Sequence, residues 1–430
     1  MKKNINFCRA IKSSVKKTIK GTAIFALLVC SAVYFTGCAT NAKNAAKNSA
    51  VTEEAAANAK PPKLYDAAKV LKDENNIEFK GVSAAQTVID MKNGWNLGNT
   101  LDAPGETQWG QPLTTKAMID TLAASGIKSI RIPVSWNIHM DSNYTVNQNW
   151  MKRVKEIVDW AIQDDMYVIL NCHHDNYSNP AKMPKGHGYY PNKTNYVESA
   201  KFVYNLWSQI ATSFNNGYDE HLVFEVLNEP RLAGTGHEWW FDQNASECKE
   251  AAEVLNKLNQ FALDAIRETG GNNQKRYVMI PAHAASVDSA MASAFKVPED
   301  DEPGKLILSA HAYSPYTFAM ETPGAKTFTP AMKNELSGTF KRLNDKFVAN
   351  GYPVIIGEYG ATNKGNLEER VKWFEYFLTE TRKYGITCYL WDNGASEANP
   401  NQGEKFGYFD RKNLKWFFPE ILDTIVKSTN

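Results

Sequence analysis

The sequence predicts an α/β chain folded as a single (β/α)8 TIM barrel, and three observations carry that prediction. Eight short apolar or mixed runs recur along the chain, amphipathic stretches lie between them, and no Gly-rich phosphate loop follows an early run. That last point disfavours the competing doubly wound sheet, which cradles its phosphates there.

The runs fall at 94–99, 127–134, 167–173, 222–228, 276–281, 305–313, 353–358 and 386–393. Each has the length and apolar content of a parallel strand covered on both faces. The stretches at 150–163, 196–214, 247–268, 332–349 and 367–384 carry an apolar residue near every third or fourth position, as a helix packed by one face requires.

The run 222–228 continues into Asn228, Glu229, Pro230 and Arg231, changing from apolar to polar within two residues. The run 353–358 ends the same way, on Glu358. In a parallel barrel all strand ends face one rim, so residues remote in sequence become neighbours there. Those ends also carry Asn99, Arg131, His173, His311, Tyr313 and Trp391. Two carboxylates facing one cleft suit glycosidic bond cleavage, in which one donates a proton while the other attacks. For each residue taken singly a plainer role competes: a solvated strand-end Glu, an Arg paired with a buried acid, a core His, a packing Trp. The adjacent His173 and His174 suggest a metal, but successive strand residues face opposite ways, so neither a metal nor another cofactor is expected.

Composition narrows the function. The chain has 430 residues, is 43 % hydrophobic and carries a net charge of +1, without the basic excess of a nucleic-acid binder. Eleven Trp and nineteen Tyr suit a protein that stacks on sugar faces. Residues 176–195, with His187, Tyr189 and Tyr190, and 232–244, with Trp239 and Trp240, read as long loops flanking sugar subsites or packing on the rim.

Residues 1–37 read as a signal peptide for export: seven Lys and Arg without an acid up to Lys20, then an apolar run too short to span a membrane. The run ends in Phe35-Thr36-Gly37-Cys38, which resembles a lipoprotein cleavage box with Cys38 as the lipid-bearing residue. Phe35 departs from the usual Leu, and cleavage with release is the alternative. Residues 38–63, rich in Ala, Asn and Lys, read as a tether, and 64–430 as one catalytic domain. Cys172, Cys248 and Cys388 lie in strand-like or helical stretches with no metal-ligand spacing, and read as small buried residues. A monomer is expected, with membrane contact only through the lipid.

Seven motifs in order, Trp95 to Asp102, Ile130 to Trp136, Asn171 to His174, Asn228-Glu229-Pro230, His311-Ala312-Tyr313, Gly357 to Gly360 and Trp391-Asp392-Asn393, resemble glycoside hydrolase family 5, the (β/α)8 cellulases. The similarity runs from Ser83 to Ile425, and the first motif resembles subfamily 4, whose members act on β-1,4-glucan, mixed-linkage glucan and xyloglucan. The resemblance implies an endo-β-1,4-glucanase with polysaccharide as its partner and no cofactor. It makes Glu229 the general acid/base and Glu358 the nucleophile, with Arg131 beside Glu358 to hold it ionised. Asn228 would bind the sugar 2-hydroxyl, while His173, His311 and Tyr313 orient that sugar and the nucleophile above a Trp391 floor. His174, Trp136 and Asn99 would line the cleft. A xyloglucanase is the nearest alternative, and a non-catalytic carbohydrate-binding lipoprotein a more distant one, which would have no need of opposed carboxylates.

Overall fold

The computed structural model describes residues 59–397 and 403–428. Eight parallel strands close into a barrel in sequence order: β1 (Asn93–Asn96), β2 (Ser129–Ile132), β3 (Tyr167–Asn171), β4 (Leu222–Glu225), β5 (Val278–Ser286), β6 (Leu306–His311), β7 (Val354–Tyr359) and β8 (Thr387–Leu390). The expected barrel is thus present. All five expected helices form, at Gln148–Gln163, Tyr196–Ser213, Ser246–Arg267, Pro330–Lys346 and Leu367–Arg382. The signal peptide, Cys38 and the tether as far as residue 58 lie outside the described residues. The compact unit begins at Lys60, slightly ahead of the expected residue 64. Lys60 pairs with Glu268 at 2.6 Å, and the Pro62 carbonyl accepts from Asn205 at 3.1 Å.

Most strands end earlier than their apolar runs. β3 stops at Asn171, two residues before His173, and β4 at Glu225, three before Asn228. Single backbone bonds still hold these overhanging residues to the next segment: His173 N–H donates to Val134 O at 2.8 Å, and Asn228 N–H to Cys172 O at 2.9 Å. The polar residues therefore stand on short, tied extensions of the strands.

A helix ahead of β1, Ala84–Asp90, plugs the lower end of the barrel, with Ser83 capping it through Gln86 N–H. Its Ala84 and Val88 join Ile169, Val223, Met279, Ile307, Ile355 and Tyr389 from the strands in one apolar cluster. Alternation by two then fixes what lies above. Asn171 and Glu225, in register, share the inward face of Ile169 and Val223, and Ser309 that of Ile307. An apolar plug thus gives way within one step to a polar floor. Cys172, Cys248 and Cys388 are buried and unpaired, in keeping with their reading as small buried residues. Among the described residues, no helix is long and apolar enough to cross a membrane.

The Tyr389 ring fills the space that β1 leaves at Gly94, where an added Cβ would meet ring carbons at 2.1 Å. Tyr389 is itself fully buried, so the ring has little room to withdraw. Gly94→Ala should lower stability by about 1–3 kcal/mol, read as a lower urea midpoint at constant slope. An unchanged midpoint would mean that the ring moves freely.

Candidate active site

Arg131, on β2, is fully buried and faces the barrel axis. Its Nε donates to Glu225 Oε2 at 2.7 Å, and its Nη1 donates to Asn96 Oδ1 at 3.0 Å and Glu358 Oε1 at 2.8 Å. Nη2 donates to Asn228 Oδ1 at 2.6 Å and also lies 2.7 Å from Glu225 Oε2. Glu225 accepts further bonds from Asn171 Nδ2 at 3.0 Å and Ser309 Oγ at 2.5 Å. Every charge on the floor is thereby matched, which burial of this kind requires. Sequence reading passed over Glu225, Asn96 and Asn171. The available signal was a carboxylate at inward parity within the otherwise apolar 222–227 run.

Glu358 sits above this floor. Ala310 pairs with Ile356 but His311 pairs with Glu358, so Gly357 is an extra residue that shifts the register. The shift sets His311 beside Glu358, and a Cβ at Gly357 would lie 3.1 Å from His311 Nε2. Tyr313 Oη donates to Glu358 Oε2 at 2.9 Å. Burial first, then the charges of Glu358 and Glu229, push the Tyr313 phenol well above its ordinary value, so it remains a donor.

Glu229 lies across the cleft, its Oε1 2.7 Å from His311 Nδ1. The same nitrogen is 3.7 Å from Glu358 Oε2, and a carboxylate oxygen of each Glu lies within 4.8 Å of the other's. Burial opposes ionisation of Glu229, but the His311 hydrogen bond and the charges of His311, Arg231 and Arg131 outweigh it and hold the carboxyl below its usual range. Burial likewise opposes the His311 imidazolium, but Glu358 and Glu229 outweigh it, and His311 lies above its ordinary value. The two groups thus hold one proton between them, on the histidine side of the bond.

His173 is neutral, because burial, aided by nearby positive charge, pushes it well down. Asn171 Oδ1 accepts from Val134 N–H, so its Nδ2 donates to His173 Nδ1 at 3.0 Å. The His173 proton therefore sits on Nε2, 4.0 Å from Glu358 Oε1. Trp391 lies parallel to the His173 ring at 5.8 Å. Asn228 spends its oxygen on Arg131, which turns its amide N–H groups away from the guanidinium.

The structure therefore brings together Arg131, His173, Asn228, Glu229, His311, Tyr313, Glu358 and Trp391. Trp136 does not line the cleft: it is fully buried and donates Nε1–H to Asn171 O at 2.8 Å. Asn99 takes a left-handed turn at φ 56°, its N–H on Asp102. His174 is exposed beside the exposed Trp109. The argument that His173 and His174 face apart is also corrected. Both lie beyond the end of β3, where strand alternation no longer applies, and their rings meet edge to face at 4.4 Å. Asp102, His173 and His174 are one group whose potential metal-ligating atoms lie within 4.8 Å of each other, but His173 spends Nδ1 on Asn171 and carries its proton on Nε2. Tyr189 and Tyr190 are buried and pack on the rim, whereas Trp239 and Trp240 are exposed, with the Arg231 guanidinium 4.1 Å over the Trp239 ring.

The family described as Cellulase (glycosyl hydrolase family 5) matches residues 88–397. Endoglucanase A of Clostridium longisporum is 43 % identical over 361 residues, spanning 80 % of this chain and 66 % of the relative. Endoglucanase 1 of Ruminococcus albus is 40 % identical over 420 residues, spanning 94 % and 95 %. Among solved structures, a family 5 lichenase from Caldicellulosiruptor sp. F32, complexed with cellotetraose, matches at TM-score 0.76 and 40 % identity over 84 % of this chain and all of that one. A subfamily 4 broad-specificity endoglucanase from Ruminococcus champanellensis, with bound cellotriose, matches at 0.74 and 39 % over 81 % and 100 %. With the family matching well over half of its length, and the carboxylate pair in place at the rim, the chain belongs to glycosyl hydrolase family 5.

Proposed function

We propose that this protein is an endo-β-1,4-glucanase that cleaves β-glucan chains with retention of configuration, Glu358 acting as nucleophile and Glu229 as acid/base. The approach of the two carboxylates to within 4.8 Å carries the reading. Retaining enzymes hold their carboxyl groups about 5–5.5 Å apart, while inverting ones leave about 6.5–9.5 Å for a water. The endoglucanase and lichenase relatives support the substrate class.

In the first step Glu358, oriented by Arg131 and Tyr313, attacks the anomeric carbon. The pair's one proton passes from His311 through Glu229 to the leaving oxygen, which leaves Glu229 a carboxylate and His311 neutral. Glu229 is then the base for the water that releases the sugar, and the accepted proton returns to the pair. Asn228 offers its amide to the 2-hydroxyl, His173 Nε2–H faces the same sugar, and Trp391 forms its floor. The matched floor under Glu358 favours catalysis over mere binding, since a binder gains nothing from two opposed carboxylates. Residues 1–37 direct export, and Cys38 carries a lipid that leaves 64–430 at the envelope as a monomer.

Glu358→Gln should lower reducing-sugar release from lichenan, carboxymethyl cellulose and xyloglucan at least about a thousandfold, and Glu229→Gln about 10²–10⁴-fold. First products should be β-anomers by NMR; α-anomers would exclude retention. The alkaline limb of kcat/KM should lie above the ordinary histidine value of about 6.5, because His311 is raised. In His311→Gln that limb should move to lower pH, since Glu229 alone then holds the proton; an unmoved limb would remove His311 from proton transfer. Cys38→Ser should shift the exported protein from the detergent phase to the aqueous one, and wild type found in the aqueous phase would rule out lipidation.

A further inference from the structure

β5 supplies no side chain to the chemistry above, yet it stands between the two strands whose ends share one proton. β4 leads to Glu229 and β6 to His311, and β5 separates them in the barrel. Pro281 pairs with Ser309 and Ser286 with His311, so five steps of β5 run beside two of β6 and three residues are extra. In this bulge Ala284 and Ala285 take left-handed conformations at φ 52° and 46°. Residues with a side chain seldom do so, and two in succession persist only where the surroundings enforce them. Here hydrogen bonds to neighbouring elements do so: Asn259 Nδ2 donates to Pro281 O at 3.0 Å, Ser289 Oγ to His283 O at 2.5 Å, and Ala284 N–H to Pro230 O at 2.8 Å. Beyond the bulge Ser286 rejoins the ladder beside His311.

The bulge meets the segment that carries Glu229 a second time, through His283. Leu232 N–H donates to His283 Nε2 at 3.3 Å, so that nitrogen is unprotonated and the ring carries its proton on Nδ1. The ring is buried against Phe241, and burial, then the charges of Arg231 and His237, push it down to about 4, which keeps it neutral and an acceptor. Among the described residues Nδ1 has no partner, which leaves Nε2 as the atom that ties the ring. Residues 228–232 lie past the end of β4 and depend on such ties. From the β3 side, Cys172 O holds Asn228 N–H at 2.9 Å and Asn176 Oδ1 holds Arg231 N–H at 2.7 Å. From the β5 side, Ala284 N–H and His283 Nε2 hold Pro230 and Leu232. Glu229 lies between these ties, and its 2.7 Å contact with His311 depends on where they set its backbone.

Resting on the β-glucanase reading, we infer that His283 is a positioning residue for Glu229: its Nε2 holds the backbone at Leu232 so that the Glu229 carboxyl meets both His311 and the leaving oxygen. The test separates acid assistance from general damage. A glucan departs as a poor alkoxide and needs the proton that Glu229 delivers, whereas dinitrophenyl β-cellobioside releases a phenolate that needs none. For both substrates kcat/KM reports the steps up to the glycosyl-enzyme. In His283→Asn, whose amide reaches no farther than Nδ1, kcat/KM on mixed-linkage β-glucan should fall about 10²-fold and on the aryl cellobioside stay within about threefold of wild type. His283→Gln, whose amide oxygen reaches the place of Nε2, should bring the glucan value back to within about fivefold. His283→Leu takes the place of the Asn variant where that one does not fold. Equal losses on both substrates, no loss on either, or a Gln variant as impaired as Asn, in an enzyme whose wild type is active on both, would overturn the inference alone. Wild type inactive on glucan and aryl cellobioside alike would overturn the glucanase reading and this inference with it.

Discussion

The guanidinium of Arg131 is the point on which the rest of the site depends. Taking it out of water costs several kcal/mol, and the barrel offsets that cost by meeting its donors from β1, β4, β7 and the segment after β4. Two carboxylates share it. Glu225 is held from three sides and neutralises the cation from below, leaving Glu358 bound by one guanidinium nitrogen and one phenol. Glu358, the proposed nucleophile, is thus aimed without being enclosed. A floor with Arg131 and no Glu225 would leave an excess positive charge beneath a carboxylate that has to react.

The rim depends on this floor through backbone register. The extra residue at Gly357 re-aims the end of β7, and a Cβ there would press on His311 at 3.1 Å. His311 in turn stands between the two carboxylates. Its proton links Glu229 to the field of Glu358, so the charge state of one carboxylate is felt by the other. In the proposed mechanism Glu358 becomes an ester, and one of the two anions that favour the imidazolium is then lost.

Toward the solvent the pairing thins out. Trp109 with His174, and Trp239 on Arg231, are aromatic surfaces at separate loops beyond the carboxylates, suited to sugar faces. The long 176–195 loop, by contrast, spends Tyr189 and Tyr190 on packing, with the Tyr190 hydroxyl donating to Ala233 O at 3.1 Å. Aromatic content in a rim loop therefore does not by itself identify a subsite.

The sequence by itself determined the barrel and which polar residues gather at its rim. Strand and helix periods are local properties, and a parallel barrel forces strand ends to converge, so Arg131, Asn228, Glu229 and Glu358 were legible without coordinates. Tertiary structure alone decided the rest, because it turns on parity and register between distant strands. Glu225 read as part of an apolar run until the Val223 parity turned it inward onto Arg131. Trp136 proved to be packing, and the two histidines after β3 escaped strand alternation, because the ladder ends sooner than the apolar pattern does. The field around a group such as Glu229 is a sum over charges brought close only by folding, His311 and Arg131 among them, which no single stretch of sequence contains.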